Sequence, residues 1–261
     1  MHSKVDATYI SLREKILFGE LKAGSPMTFE HIVDLTDVSA SMARELILSL
    51  SAGGYLTRRG RGHIVSTFSK KQVEEWRIAL GGIVEIGALR LALVGGEQLD
   101  RAAQFLDGNV RNVSVEDEAF FLGAVAFTTI VLGGRESSLS QIVEQFIPQA
   151  FFRLQWLSDA YADRTGYLVE ASDRYLAAAR RGDLDGVRDA SRYFFDSTAP
   201  ALHKLVDEMA AGSFPRNDKR DALHTIEPKI TGSPTYAGSS RALTPLMSSL
   251  SEAQLTAHTF Q

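Results

Sequence analysis

Twelve residues, Tyr55 to Ser66, constrain the fold of this chain more than any others. Tyr55-Leu56-Thr57-Arg58-Arg59 and His63-Ile64-Val65-Ser66 are short strand-like segments on either side of Gly60-Arg61-Gly62, the pattern of a hairpin with a flexible tip. What precedes them reads as helix. Between Ala7 and Phe18, Tyr9, Ile10, Leu12, Ile16 and Leu17 fall near helical spacing, and Gly19 stops the pattern. A turn-rich bridge, residues 21–26, leads to Thr28, which can cap a short helix carrying Phe29, Ile32, Val33 and Leu35. After a break at Thr36-Asp37-Val38, Ser39 can cap a third helix whose Ala43, Leu46, Ile47 and Leu50 face a core, until Gly53-Gly54 ends it. Three helices followed by a basic hairpin make a winged helix-turn-helix, predicted over residues 1–69.

Charge is informative here by position. The 261 residues carry a net charge of −4, which excludes a uniformly basic nucleic-acid coat. Within the first 69 residues eight Lys or Arg face seven Asp or Glu, yet Arg58, Arg59, Arg61 and His63 lie within six residues that contain no acid. Arginine suits phosphates and narrow minor grooves, and glycine at the tip (Gly60, Gly62) lets the backbone approach closely. Such contacts position a protein on DNA, whereas base edges are read from the major groove. The N-terminal side of the Ser39 helix, with Ala40, Ser41 and Arg44, is the expected reader, and Arg44 can offer a two-pronged donor to guanine. The predicted partner is double-stranded DNA.

From Ser69 the pattern changes. Ser69-Lys70-Lys71-Gln72 has the spacing of a capping box before a helix running to Leu93, closed by Gly95-Gly96. Further helices are expected at 97–106, from a Ser114 cap to 131, at 139–156, at 167–181 and at 183–209, with Pro200 as a kink. No stretch alternates with period two, so residues 70–212 read as an antiparallel all-α bundle of about six helices, and the chain as mainly α. Residues 213–261 contain four of the seven prolines and recurrent Ser and Thr, the composition of a disordered tail. Leu243, Leu246, Met247 and Leu250 keep helical spacing inside it, and a docking helix there is the alternative. The chain has no cysteine, hence no disulfide or thiolate metal site, and no apolar run of about 18 residues that could span a membrane. A cytoplasmic protein is expected.

The order and spacing of Leu21-Lys22-Ala23-Gly24, Val38 to Leu46, Gly54-Tyr55-Leu56 and Arg59 to Val65 resemble the winged-helix module of GntR-type bacterial transcription regulators. That family usually has arginine where this chain has Ala40 and proline where it has Met42, so one common operator contact is missing. The helical region is similar to the effector domain of the FadR subgroup, with Glu85 in the first helix and Arg181-Gly182-Asp183 before the last as landmarks. The resemblance implies a homodimer on a pseudo-palindromic operator, most often a repressor, with a small-molecule effector.

Many members of that subgroup hold a divalent metal with one Asp and three His. Where their Asp-x-x-Phe-His would sit this chain has Ala124-Val125-Ala126-Phe127-Thr128, and the later histidines fall near Ser172 and Phe194. The six histidines lie elsewhere, at 2, 31, 63, 203, 224 and 258, so neither metal nor cofactor is predicted. Aromatic residues take their place, among them Phe127, Phe152 and Phe194. Two readings stay open: ordinary core packing, or a cavity for an apolar or aromatic ligand. For the second, Thr128, Gln155, Ser172 and Tyr175 are candidate hydrogen-bonding groups, and Arg77, Arg90, Arg153 and Arg174 are candidate carboxylate partners. Gly81-Gly82, where family members often have an arginine, removes an anion anchor. No nucleophile elbow, phosphate loop or paired catalytic acids occur, so a regulator is expected and not an enzyme. The rivals are a constitutive DNA-binding dimer without effector, and an enzyme using the helical pocket.

Overall fold

The computed structural model describes residues 4–114, 118–161 and 166–212; the expected tail, 213–261, lies outside them. The first three helices are α1 (Lys4–Leu17), α2 (Phe29–Thr36) and α3 (Ala40–Ala52). Thr28 and Ser39 are their predicted caps: the Thr28 hydroxyl accepts from the His31 N–H at 3.2 Å and the Ser39 hydroxyl from the Met42 N–H at 3.3 Å. Between them the chain turns at Asp37, which adopts a left-handed conformation (φ 51°) and donates its N–H to the Val33 carbonyl. Leu12, Ile32, Ala43, Leu46 and Leu50 are fully buried where the three helices meet.

The hairpin is β2 (Leu56–Arg59) and β3 (Gly62–Val65), paired antiparallel with Arg58 opposite His63 and Arg59 opposite Gly62. A third strand joins it. Pro26–Met27, of which the sequence reading places Pro26 in a turn and leaves Met27 unassigned, is β1 and pairs with Ile64 and His63, giving the order β1-β3-β2. Two residues are too short for an alternating pattern to show, and only the partner strand defines them.

The helical region comprises α4 (Lys70–Val94), α5 (Gly96–Asn109), α6 (Glu118–Val131), α7 (Ser138–Phe146), α8 (Gln149–Tyr161), α9 (Tyr167–Arg180) and α10 (Leu184–Ala211). Ser69 and Asp183 cap α4 and α10 through their side chains. The long α4 and α10 pack along each other, α9 against α10, and α5 against α6. The stretch expected as one helix at 139–156 is two helices, so among the described residues the bundle has seven. Pro148 breaks it: proline lacks the N–H that would continue the ladder, and Ile147 before it is extended (ψ 113°).

That break joins the two halves of the molecule. The first turn of α8 lies against the end of α3, where the Ala150 N–H donates to the Gly53 carbonyl at 2.9 Å and the Tyr9 hydroxyl donates to Gln149 Oε1 at 2.9 Å. Gly54, at φ +81°, sits so close that a Cβ there would come within 2.6 Å of Pro148 Cβ. Trp76 of α4 meets Phe151 of α8 edge-on, ring centroids 5.9 Å apart. One hydrophobic cluster therefore runs from Leu12, Leu46 and Tyr55 to Phe121, Phe151 and Leu202, across residue 69; a second holds α5, α6, α9 and the start of α10 together.

Candidate functional site

The two groups of residues singled out from the sequence fall on two separate features, an exposed basic wing and an apolar cavity. On the winged-helix module Ser39, Ala40, Ser41, Arg44, Arg58, Arg59, Arg61 and Gly62 are exposed and His63 is half-buried. α3 explains its own division of labour. Ala43, Leu46, Ile47 and Leu50 are buried at 3.6-residue spacing, so Ala40, Ser41, Arg44 and Glu45 turn outward. The Arg44 guanidinium carbon lies 5.3 Å from the centroid of Phe29, over the face of a ring from α2. In the wing the strand register brings Arg58 beside His63, and Arg61 occupies the turn at the tip. Thr57 and Ser66 share a hydrogen bond of 2.9 Å across the base of the hairpin.

The second feature is a cavity of about 130 Å³ between α4, α6, α8, α9 and α10. Of the predicted effector residues, Ala124, Phe127, Thr128, Phe152, Gln155, Ser172, Tyr175 and Phe194 line it together. They come from four helices, which sequence spacing alone could not place opposite one another. Arg77 and Glu85 do not line it. Arg77 donates to both Glu74 carboxylate oxygens (2.7 and 2.8 Å) and to Asp196 at 3.2 Å, outside the cavity. Those hydrogen bonds from Arg77 hold the Glu74 carboxyl down to about 2, against an upward push from burial, and His203 adds a contact at 3.0 Å. Glu85 faces Arg192 at 3.2 Å and Arg188 at 3.8 Å.

The lining contains no charged residue. Arg174 pairs with Glu170 and lies over Tyr193, and neither it nor Arg90 lines the space. Arg153 is almost completely buried, its guanidinium carbon 3.8 Å from the centroid of Phe121 and 5.3 Å from that of Trp156, on rings that themselves face the cavity. The polar lining side chains are mostly committed. Thr128 donates to the Ala124 carbonyl at 2.9 Å, Ser191 to Val187 at 3.1 Å, and Tyr175 to Ala88 at 3.4 Å. Burial pushes the Tyr175 phenol well above its ordinary range, so it stays a neutral donor. Gln155 is not committed: it is 8% exposed, and neither its amide nitrogen nor its amide oxygen has a hydrogen-bond partner. Sequence reasoning placed Gln155 among several candidates but had no signal for that isolation, which depends on what surrounds it. Leu80, Val84, Leu168 and Ala171 also line the cavity, and as ordinary core residue types they carried no signal.

Among the described residues no group of three or more His, Asp or Glu is placed to hold a metal, and no helix is long and apolar enough to cross a membrane.

No family model matches the chain, and no curated protein matches it in sequence. Solved structures do match in shape. The fold is similar to that of Lar, which controls the expression of the Listeria monocytogenes agr system and mediates virulence, at a TM-score of 0.58 and 18% identity, over 78% of this chain and 99% of that one. A protein from Rhodococcus sp. RHA1 described as a GntR transcriptional regulator matches at a TM-score of 0.53 and 18% identity, over 77% of this chain and 98% of its own. McbR/YncC of E. coli matches at 0.51 and 18%, over 78% and 99%. The shared architecture is a mainly helical chain with a small antiparallel sheet, a winged helix-turn-helix followed by a helical domain.

Proposed function

We propose that this chain is a DNA-binding transcription regulator of the GntR type, FadR subgroup, acting in the cytoplasm as a homodimeric repressor that responds to a small ligand in its helical cavity. The observation that carries the reading is the exposed Ser39-Ala40-Ser41-Arg44 edge of α3 in the same module as a wing tipped by Arg58, Arg59 and Arg61. α3 enters the major groove, where Arg44 and Ser41 meet base edges; the wing arginines meet phosphate or the minor groove. The regulators of similar fold support this direction through the architecture they share with this chain.

Ligand response is supported by α8. Its Phe152 and Gln155 line the cavity, while at its first turn Ala150 donates to Gly53 at the end of α3 and Gln149 accepts from Tyr9 of α1. A ligand that prefers one position of α8 therefore biases the placement of α3, and a coupling of about 1–3 kcal/mol suffices for a switch. Dimerisation is supported by α4, where Ile78, Ile86 and Leu93 are 57–71% exposed and recur on one side of the helix.

The test is binding of the full chain to duplex fragments from upstream of its own gene, followed by fluorescence anisotropy over a range of salt. Tight binding to one fragment over random duplex is expected; equal, weak binding to all fragments at moderate ionic strength removes the reading.

A further inference from the structure

The ligand-responsive reading leaves the chemistry of the ligand open, and the lining of the cavity narrows it. A space of about 130 Å³ is close to the engineered apolar cavity of about 150 Å³ that takes up benzene, so it admits a single ring. Its walls are rings: Phe120, Phe121, Phe127, Phe152, Trp156 and Phe194 surround it, and aromatic side chains favour an aromatic guest in edge-to-face or offset contact. No charged side chain reaches the lining, so an anion entering it would give up its hydration without a partner. Against this apolar surface stands one amide. Gln155 is more than nine-tenths buried, and both its donor and its acceptor lack a partner, while the Thr128, Ser191 and Tyr175 hydroxyls already donate to backbone carbonyls.

A buried amide without partners is costly, and glutamine gives up side-chain entropy as well when fixed. Leucine of similar size would serve packing better. We propose that Gln155 is a ligand-recognition residue, and that the cavity takes an uncharged single-ring aromatic molecule bearing one adjacent donor and acceptor, such as a carboxamide, which pairs with the Gln155 amide in a two-hydrogen-bond face-off. The ring is held by the phenylalanine walls, and selectivity against carboxylates follows because no charged side chain is among the lining residues, Arg153 being covered by the Phe121 and Trp156 rings. The inference rests on the cavity being an effector site, and deepens that reading by naming what the effector must present.

Three probes separate the contributions in the full-length protein: benzamide carries the ring and the amide, benzoate the ring and a charge, toluene the ring alone. Calorimetric titration is expected to rank benzamide above both others, by about tenfold or more, the usual worth of satisfying a buried polar group. Gln155→Leu is expected to abolish the advantage of benzamide over toluene, leave toluene binding within about twofold, and raise the melting temperature of the unliganded protein by about 2–8 °C, because an unsatisfied amide is removed from an apolar site. Gln155→Met, which keeps the length and removes both hydrogen-bonding groups, must behave alike. A glutamine kept for structural reasons would give the opposite thermal shift. The proposal is overturned if benzoate equals benzamide, if both variants keep the benzamide preference, if both melt below the parent protein, or if no probe binds. Duplex binding measured in parallel keeps the two readings apart: Gln155-dependent benzamide binding without operator preference sinks the regulator and leaves the ligand assignment, and the reverse result does the opposite.

Discussion

On the proposed function, Arg44 and Arg61 would do different work on DNA because of where their backbones place them. Arg44 leaves a helix whose opposite side is buried, so α3 would set its position relative to a base pair; Arg61 sits in a turn between two short strands, where it would meet a nearby phosphate. Arg44→Ala is expected to lower operator affinity by about 1–3 kcal/mol while leaving random-duplex binding nearly unchanged, whereas Arg61→Ala weakens both and reduces the salt slope by about one. Unchanged operator preference in Arg44→Ala would remove it from the reading surface. Glu74 supports a prediction of another kind. Its carboxyl titrates near 2 when folded, against an ordinary value of 4.5, because Arg77 donates to both oxygens. Between those values the unfolded chain binds the proton first, so the stabilisation from this pair is complete above about pH 5 and fades as pH falls toward 2. The melting-temperature gap between the parent protein and Glu74→Gln is therefore expected to be constant from pH 7 to 5 and to close below it; a gap unchanged at pH 3 would mean that the ion pair contributes nothing.

At the level of elements, the seam between α3 and α8 is the joint on which any communication depends. Pro148 ends α7, and the first turn of α8 then meets Gly53 and Gly54 at the end of α3. Gly54 is required twice over, by its positive φ of 81° and by the 2.6 Å approach of Pro148 to the place a Cβ would occupy. Gly54→Ala is expected to destabilise the protein by about 1–3 kcal/mol, read as a lower melting temperature. It should also loosen the wing module from the bundle, giving faster proteolysis between α3 and α4 than in a control such as Gly82→Ala, where a Cβ meets open space. A neutral Gly54→Ala would show that the seam yields without cost. The most legible elements were the capped ones: Thr28, Ser39 and Ser69 announce helix starts through hydrogen bonds that are local in sequence. β1 and the α7–α8 break were not read, the first because two residues carry no period and the second because the apolar spacing of residues 139–156 continues through Pro148 and masks it.

For the whole molecule, the exposed stripe on α4 sets an expectation about assembly. Ile78, Ile86 and Leu93 lie eight and seven residues apart, which on a helix of about 3.6 residues per turn keeps them within roughly a quarter-turn of one another. Covering that stripe with its two-fold copy would place two reading heads on one duplex, so dimerisation and operator affinity should fall together. Ile86→Glu, at a position already 57% exposed, is expected to leave the fold intact by circular dichroism, convert the protein to a monomer in sedimentation velocity and lower operator affinity by more than tenfold. A dimer that survives this change directs attention to another surface.

What the sequence by itself determined is whatever depends on neighbours in the chain: helix starts, the buried side of α3, and the hairpin with its cluster of arginines. The tertiary structure alone decided which of those residues share a space. It drew eight predicted positions from four helices into one uncharged cavity, left Arg77 and Glu85 in ion pairs outside it, and isolated Gln155 among rings. The physical reason is that burial and hydrogen-bond satisfaction are set by what lies across the core, at separations in sequence that local pattern does not encode.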